Sequence, residues 1–526
     1  MNDLGTNTEN RPLSAKWLDA EAHPKAIKIV LLITVLAIFC KMAVTKIFDS
    51  DMLFLIASGN EIIEHGIPFN NVWTIDSSSK IVIQQWLYDI FIAYFYQRGK
   101  LIGILLFYFI QLLGCCFVLW KMFKLRNISA FRKSIYIWLV LMMGASYTMK
   151  VRPELITLTL LFAECYAFEK YRTDKKPAIL LLLPIAILLE INLHAAMWIM
   201  HCAVAFIYCV AGQDVRDDKH CQKRMIVFSL LMIPMLFVNP YGLDAILYLP
   251  KSFLAGTFGY VSVAEVAKTQ ICSIHTIHIG IILLFIWICK KHSKLRSETI
   301  WMALMCVVFA VISMRNVLFL SLCTATVLFD VGNVDFELFT NKIEMIRKHI
   351  TNFVVVILCI SACILMYFPI MSILFYCNHN DIDNINEAYI HKKMHKTIIK
   401  DYSDDMHIFT GFNDGAYFEF KGFKNIYIDA RPELYTAEFT EQDNILQDYA
   451  QYTSYGFDPS GHSHQKFSKE AMEEWLDKYD FKYLVVDVSA EPVLHAYLEA
   501  SDMFSQVCFE KFANENELFV LYRKEQ

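Results

Sequence analysis

The sequence is poor in charge and has no surplus of basic residues. Only 19% of its 526 residues are charged, and its formal net charge is −5, whereas about a quarter of the residues in an ordinary soluble domain are charged. A nucleic-acid-binding protein usually carries a strongly basic surface. Nucleic acid is therefore not expected as a partner.

Several sequence signals of other function classes are also missing. The 15 cysteines show no paired metal-ligand spacing and mostly fall in apolar runs, where a packing role is the usual one. No Gly-rich phosphate loop and no internal repeat is apparent. We therefore predict no metal cofactor, although a divalent cation stays open, and expect neither a nucleotide-sugar site nor a repeat-built transporter.

Apolar residues, in contrast, make up 56% of the chain. They are concentrated in runs of roughly 16–22 residues, the length that crosses a bilayer as a helix. The sequence predicts a polytopic α-helical protein of the cell membrane with about eleven spans. The candidate spans are 27–45, 84–120, 134–149, 154–171, 178–193, 195–212, 225–239, 275–290, 299–314, 316–331 and 353–376.

Basic clusters orient these spans. They lie in 170–176, 216–224, 290–296 and 342–348. Because cytoplasmic loops are enriched in Lys and Arg, these loops and an N-terminal tail over 1–26 are predicted to be cytoplasmic. Segment 84–120 must then cross an odd number of times, either because its first part enters only partway or because it forms one long tilted helix.

The hydrophobicity ends near residue 376, so we place a transmembrane domain at 27–376 and a soluble α/β domain at 377–526. The stretches "NIYIDA" and "KYLVVDV" are predicted to be buried strands, and "ELFVLYR" a closing strand. The stretches "EFTEQDNILQDYA" and "SKEAMEEWLDKY" are predicted to be surface helices. The odd number of crossings places this domain outside the cytoplasm.

The first outer loop, 46–83, contains two closely spaced carboxylates. Asp49 and Asp51 precede a stretch, Met52 to Glu64, whose apolar residues fall on one helical face. This pattern predicts an amphipathic helix in the membrane interface, capped by one aspartate and stopped by Gly66. Capping needs only one carboxylate, so the second has another possible use.

Polar residues near the ends of other spans fall on the same outer face. They are Gln85, Arg152, Glu154, His194, Asn239 and Arg315. Ionisable groups at membrane depth are costly and usually face a cavity or a partner, so we predict a polar pocket. Each residue also has a plain structural alternative: a snorkelling Arg, a packing His, or a turn at "NPYG".

The chemistry that suits such a pocket is sugar transfer from a polyprenyl phosphate to a hydroxyl. A carboxylate can accept the hydroxyl proton, and cations stabilise the charge that develops on the departing phosphate. Arg is well suited because its planar fork holds phosphate oxygens in pairs.

The order of several short motifs resembles the GT-C superfamily of integral-membrane glycosyltransferases, in particular a bacterial branch related to aminoarabinose transferases and protein O-mannosyltransferases. The motifs are "DSDMLFLIASGNEIIEHGIPFNNVWT", "QQWLYD", "VRPELITLTLL", "LLEINLHAAM", "FVNPYG", "MRNVLF" and "GAYFEFKGFKNIYIDARPELY". The resemblance implies an inverting hexosyl or pentosyl transferase that takes its donor as a polyprenyl-phosphate sugar from the bilayer.

The same resemblance implies roles for individual residues. Asp51, or else Asp49, would be the catalytic base. Candidates for binding the donor phosphate are Arg152, His194 and Arg315, and candidates for lining the pocket are Glu154, Gln85, Asn239, Asp429 and Arg431. Gln85 departs from the family pattern, and the pair Asp429 and Arg431 also has a structural interpretation as a salt bridge in a loop.

Two other function classes remain open at this point. A transporter or flippase for lipid-linked sugars would also need charged groups near membrane depth, and a non-catalytic scaffold of an envelope assembly would not need Asp49 or Asp51. The sequence does not specify the sugar, or whether the acceptor is a glycan, a lipid or a protein.

Overall fold

The structure of the chain is a computed structural model. It describes residues 51–75, 79–145, 150–212, 218–254, 277, 279–284, 286–287, 295–332, 367, 370–385, 390–441, 444–453, 469–512 and 518–525. Asp49, the whole of the predicted span 27–45 and parts of the predicted spans 275–290 and 353–376 lie outside the described residues.

The described part of the chain is mainly helical up to residue 332. Its helices in order are α1 (Asp51–His65), α2 (Trp86–Lys124), α3 (Ala130–Met143), α4 (Glu154–Asp174), α5 (Leu182–Leu193), α6 (Trp198–Ala211), α7 (Lys219–Leu230), α8 (Met232–Met235), α9 (Leu243–Leu254), α10 (Ser297–Ile312) and α11 (Leu320–Val331). By length and composition, two helical stretches here could cross a membrane, Trp86–Lys124 and Met314–Val331, and three shorter helices are similarly apolar.

Helix α2 is two helices folded against each other. Its backbone leaves the helical region at Lys100, where φ is 51° and ψ is −134°. Tyr88 and Phe107 are 19 residues apart, about 28 Å along a straight helix, yet their ring centroids are 5.3 Å apart. Phe95 stacks on the same Phe107 ring at 5.1 Å. Segment 84–120 is therefore not one long tilted helix; its first arm runs back along the second.

Helix α1 begins and ends close to its predicted bounds, and Gly66 follows it with a φ of 89°. The first half of the helix does not expose a polar face to water, however, because every residue from Met52 to Gly59 is buried. Helix α2 covers one side, and the C-terminal part of the chain covers another. The amphipathic pattern predicted the helix correctly but could not show that a distant segment packs on it.

Helices α4, α10 and α11 are joined by ion pairs at the end where the basic clusters lie. Arg172 Nη1 lies 2.5 Å from Glu298 Oε1, and Arg296 Nη1 lies 2.8 Å from Glu169 Oε1. Arg296 Nε also lies 2.6 Å from Asp330 Oδ1. These charges are mostly buried, and a buried charge is tolerated only when it is paired. The network therefore fixes the relative positions of the three helices.

The C-terminal region combines helices with one four-stranded sheet. The strands are β1 (His407–Phe409), β2 (Phe481–Asp487), β3 (Phe504–Lys511) and β4 (Leu518–Lys524), in the order β1-β2-β4-β3. The helices are α12 (Lys392–Ile398), α13 (Gly415–Phe420), α14 (Ala437–Thr440), α15 (Ile445–Thr453), α16 (Lys469–Tyr479) and α17 (Pro492–Ala500).

The sheet agrees with part of the strand prediction. "KYLVVDV" and "ELFVLYR" form β2 and β4, which pair antiparallel, while β1 pairs parallel to β2. β4 is a central strand rather than a closing one, because β3 pairs on its other side. "NIYIDA" is buried and extended but makes only isolated bridges, from Ile426 to Thr74 and to Ile408. It thereby ties the first outer loop to the C-terminal region.

Gly59 generates a test of how tightly α1 is packed. A Cβ atom at this position would lie 1.9 Å from the backbone oxygen of Asp89 in α2, so Gly59→Ala must push the two helices apart. We expect a loss of roughly 1–3 kcal/mol, seen as a fall of a few degrees in the thermal midpoint of the purified protein. Gly114→Ala is the matched control, because nothing lies within 4 Å of its added Cβ. An unchanged midpoint for Gly59→Ala would contradict the packing.

Candidate active site

Two ion pairs bring together three of the sequence motifs. Arg152 Nη2 lies 2.9 Å from Asp51 Oδ2 at the start of α1. Arg315 Nη2 lies 2.8 Å from Glu154 Oε1 at the start of α4. Arg152 and Glu154 are two residues apart in "VRPEL", so one short segment holds both pairs.

Each pair has one buried member and one accessible member. Arg152 is 8% exposed while its partner Asp51 is 27% exposed, and Glu154 is fully buried while Arg315 is 33% exposed. The buried residues act as fixed counter-ions because leaving them unpaired would be costly. The site therefore presents an accessible carboxylate and an accessible guanidinium, and each is held in place by a buried partner of opposite charge.

His194 lies in the turn that follows α5, next to the motif "QQW". The backbone N–H of Ala195 donates to the carbonyl oxygen of Gln84 at 2.8 Å. Trp86 Nε1 donates to Asn192 Oδ1 at 3.0 Å. His194 itself is buried, and its Nδ1 lies 2.8 Å from the Thr157 hydroxyl, one helical turn along α4 from Glu154. The predicted proximity of these motifs is therefore observed.

Two predicted pocket residues have different surroundings. The Asn239 side chain donates to the carbonyl oxygens of Leu236 and Gly242 and accepts from the N–H of Tyr241, which holds the "NPYG" turn. The structural interpretation of this motif thus accounts for its hydrogen bonds. Gln85 precedes α2 and is buried, and its Oε1 has no hydrogen-bond partner among the described residues.

The motif "DARPELY" lies above α1. Arg431 Nε donates to Asp429 Oδ2 at 2.9 Å and its Nη2 donates to Glu419 Oε1 at 2.6 Å. Its guanidinium carbon lies 5.3 Å from the centroid of the Phe54 ring and 5.0 Å from that of Trp73, within the range of cation–π contacts. The salt bridge between Asp429 and Arg431 is present, and it also anchors the C-terminal region on α1.

The protonation of this group follows from burial and charge. Burial opposes the ionisation of Asp429, but the Arg431 guanidinium outweighs it and holds the pKa of Asp429 below its usual range. Burial raises the pKa of Glu419 well above its usual range. The Arg431 guanidinium therefore favours the charged form of Asp429 more than that of Glu419.

Sequence reasoning missed several polar residues around this site. Glu433 follows the same motif and accepts a hydrogen bond from the Tyr248 hydroxyl of α9; burial raises the pKa of Glu433. Asp89 in α2 is completely buried, and neither of its carboxylate oxygens has a hydrogen-bond partner in the part of the chain that the structure describes. Both residues could have been noticed in the sequence, since Asp89 interrupts an apolar run and Glu433 lies inside the motif "DARPELY".

No group of His, Cys, Asp or Glu side chains suited to hold a metal ion occurs among the described residues. The arrangement offers proton acceptance at Asp51 and anion binding at Arg315.

The sequence matches no protein-family model and no curated protein sequence. The fold, however, is similar to that of ArnT from Cupriavidus metallidurans, solved bound to undecaprenyl phosphate, with 10% identity and a TM-score of 0.51 over 94% of this chain and 97% of that one. The chain therefore shares the fold of that protein. The mycobacterial arabinofuranosyltransferase AftD is also similar, with 12% identity and a TM-score of 0.49 over 98% of this chain and 42% of that chain.

The shared fold agrees with the resemblance seen in the sequence motifs. At such low identity the likeness concerns the fold alone. The roles of individual residues therefore have to be argued from their own geometry.

The pair of Arg315 and Glu154 generates a second test. Arg315→Met leaves the Glu154 carboxylate buried beside one cation fewer, and we expect a loss of roughly 3 kcal/mol, the low end for a broken buried pair because Arg315 is partly exposed. The double variant Arg315→Met with Glu154→Gln removes both charges and should recover much of the loss. The measurement is the thermal midpoint of each purified variant. Equal midpoints for the single and double variants would show that Glu154 does not depend on Arg315.

Proposed function

We propose that the protein is a membrane glycosyltransferase that moves a sugar from a polyprenyl phosphate to an envelope acceptor on the outer side of the membrane. The observation that carries the proposal is the pairing at residues 152–154. It presents Asp51 and Arg315 to the site and holds each with a buried counter-ion. The shared fold and the undecaprenyl phosphate bound by ArnT support a donor of this class.

The reaction we propose is a single displacement with inversion. The acceptor hydroxyl attacks the anomeric carbon of the sugar, and its proton passes to a carboxylate oxygen of Asp51. The bond between the anomeric carbon and the phosphate oxygen breaks, and its electron pair leaves with the polyprenyl phosphate. A positioned carboxylate contributes typically 10²- to 10⁴-fold to such a step.

Arg152 and Arg315 have separate tasks in this scheme. Arg152 fixes the orientation of Asp51 and favours its ionised form, which is the form that accepts a proton. Arg315 is the more exposed of the two guanidinium groups, at 33% against 8% for Arg152, so we expect the departing phosphate to bind there. Its fork can engage two phosphate oxygens, and a preorganised cation stabilises the leaving group in the transition state.

The C-terminal α/β region has a place in the same proposal. It packs on α1 through Arg431 and α13 and on α9 through Glu433. Because α1 carries Asp51, this region must lie on the same side of the membrane as the site. We place it outside the cytoplasm and assign to it the approach of the acceptor, whether glycan, lipid or protein.

The test compares Asp51→Asn and Asp49→Asn with the wild type at equal membrane abundance. Membranes receive a panel of radiolabelled polyprenyl-phosphate hexoses and pentoses, and label is followed into polymer and lipid fractions. We expect Asp51→Asn to lower the transfer rate at least 100-fold, because an amide cannot accept the proton. The matched control is Glu61→Gln, which removes a carboxylate from the far end of the same helix, where it pairs with His65.

Loss of transfer in Asp49→Asn with full activity in Asp51→Asn would move the base to Asp49. Full activity in both variants would contradict the proposed site. Equal losses in Asp51→Asn and Glu61→Gln would indicate damage to α1 rather than loss of a base.

A further inference from the structure

A continuous row of buried polar side chains runs through the apolar core beneath the candidate site. Thr157 and Glu164 belong to α4, Glu190 to α5 and His201 to α6, and His194 lies in the turn between α5 and α6. All five are at most 1% exposed. Such groups are costly at membrane depth, and an apolar replacement of a buried ionic group is often as stable. Their presence therefore indicates a role other than packing.

Three of the four contacts in the row are hydrogen bonds, and the fourth is a longer contact between an imidazole and a carboxylate. The Thr157 hydroxyl lies 2.7 Å from Glu190 Oε1 and 2.8 Å from His194 Nδ1. The other Glu190 oxygen lies 3.4 Å from His201 Nε2, and His201 Nδ1 lies 2.9 Å from Glu164 Oε2. The row thus begins at His194, next to the site, and ends at Glu164, two turns deeper along α4.

Counting donors assigns the protons at the upper end of the row. Thr157 has one hydroxyl proton, and it donates this proton to Glu190 Oε1. The Thr157 proton is then committed to Glu190, so the remaining contact requires His194 Nδ1 to donate to the Thr157 oxygen.

This assignment determines what the other ring nitrogen of His194 can do. The ring is buried, and burial favours the uncharged imidazole. A neutral ring with its proton on Nδ1 has a lone pair on Nε2. Nε2 is therefore an acceptor, which suits a hydroxyl group and does not suit a phosphate oxygen.

We propose that Thr157 and Glu190 are positioning residues that hold His194 as the neutral Nδ1–H tautomer, so that its Nε2 accepts a hydrogen bond from a hydroxyl of the sugar. This rests on the proposed function and deepens it. It assigns His194 to sugar recognition, and leaves the donor phosphate to Arg315. A site that accepts from a substrate hydroxyl also discriminates strongly against a substrate that lacks it.

The experiment uses nitrogen NMR of the full-length protein labelled with [15N]histidine in lipid nanodiscs. The difference between wild type and His194→Gln isolates the two ring nitrogens of His194. We expect the signature of a neutral ring with the proton on Nδ1. Thr157→Val, which is isosteric but lacks the hydroxyl, should shift the ring to the other tautomer or to a mixture, and Thr157→Ser should restore the wild-type signature.

The matched control is Thr159→Val. Thr159 lies on the same helix but donates to the backbone oxygen of Leu155, so its loss should leave the His194 signals unchanged. A wild-type ring that is charged or protonated on Nε2 would overturn the proposal. So would a Thr157→Val spectrum identical to that of the wild type.

The transfer assay gives a second, separate comparison. We expect Thr157→Val to raise the KM for the sugar donor at least 10-fold, with Thr157→Ser close to wild type. The tautomer is measured without any substrate, so its failure overturns the positioning role even if the protein transfers sugar. Conversely, the expected spectrum in a protein with no transferase activity would reject the proposed function and leave the tautomer assignment standing.

Discussion

A buried charge has to be paired, and this requirement shapes the region around residues 152–154. The segment at residues 152–154 supplies a buried guanidinium to one neighbour and a buried carboxylate to another. The start of α4 is therefore tied to α1 on one side and to the segment after α10 on the other. Removing Arg152 or Glu154 would leave a charged partner unpaired. These two buried residues therefore determine the positions of the accessible Asp51 and Arg315.

Helix α1 is covered by a segment that lies about 360 residues further along the chain. The helix is too apolar around its circumference to face water or headgroups, since Met52 to Gly59 are all buried. The C-terminal region covers it with α13 and with the Arg431 guanidinium over Phe54. A site at the first residue of α1 is thus built by both the helical part and the α/β part of the chain.

Local patterns predicted much of this fold, and distant pairing accounts for what they missed. The period of apolar residues indicated α1, and turn chemistry placed its end at Gly66. The strands β2 and β4 were recognised because they are continuous apolar runs, whereas β3, with its mixed "FSQVCFEK", was not. The break within α2 falls at Lys100, directly after the first part of segment 84–120 that the sequence allowed to enter only partway. That this arm folds back along the second escaped prediction, because the contact joins residues distant along the helix.

The candidate site was predicted in a similar way. The sequence indicated which residues collect on one face, because each is a polar residue at the end of an apolar run. It could not indicate which residues form ion pairs with each other. Arg152 was as plausible a partner for Glu154 as for Asp51. Nor did it draw attention to Glu190, His201 and Glu164, whose connection appears only when α4, α5 and α6 are packed together.

The candidate site differs from the other cluster of Arg–carboxylate pairs in how its accessible charges are arranged. Near the basic clusters, Arg172 contacts both Glu169 and Glu298, and Arg296 contacts these residues and Asp330. These five residues are at most 20% exposed, but Arg126, which also pairs with Asp330, is 39% exposed. An accessible guanidinium alone therefore does not distinguish the two clusters. At residues 152–154, in contrast, one short segment holds both a 27% exposed carboxylate, Asp51, and a 33% exposed guanidinium, Arg315. This combination of a proton acceptor and a cation is what the proposed transfer requires.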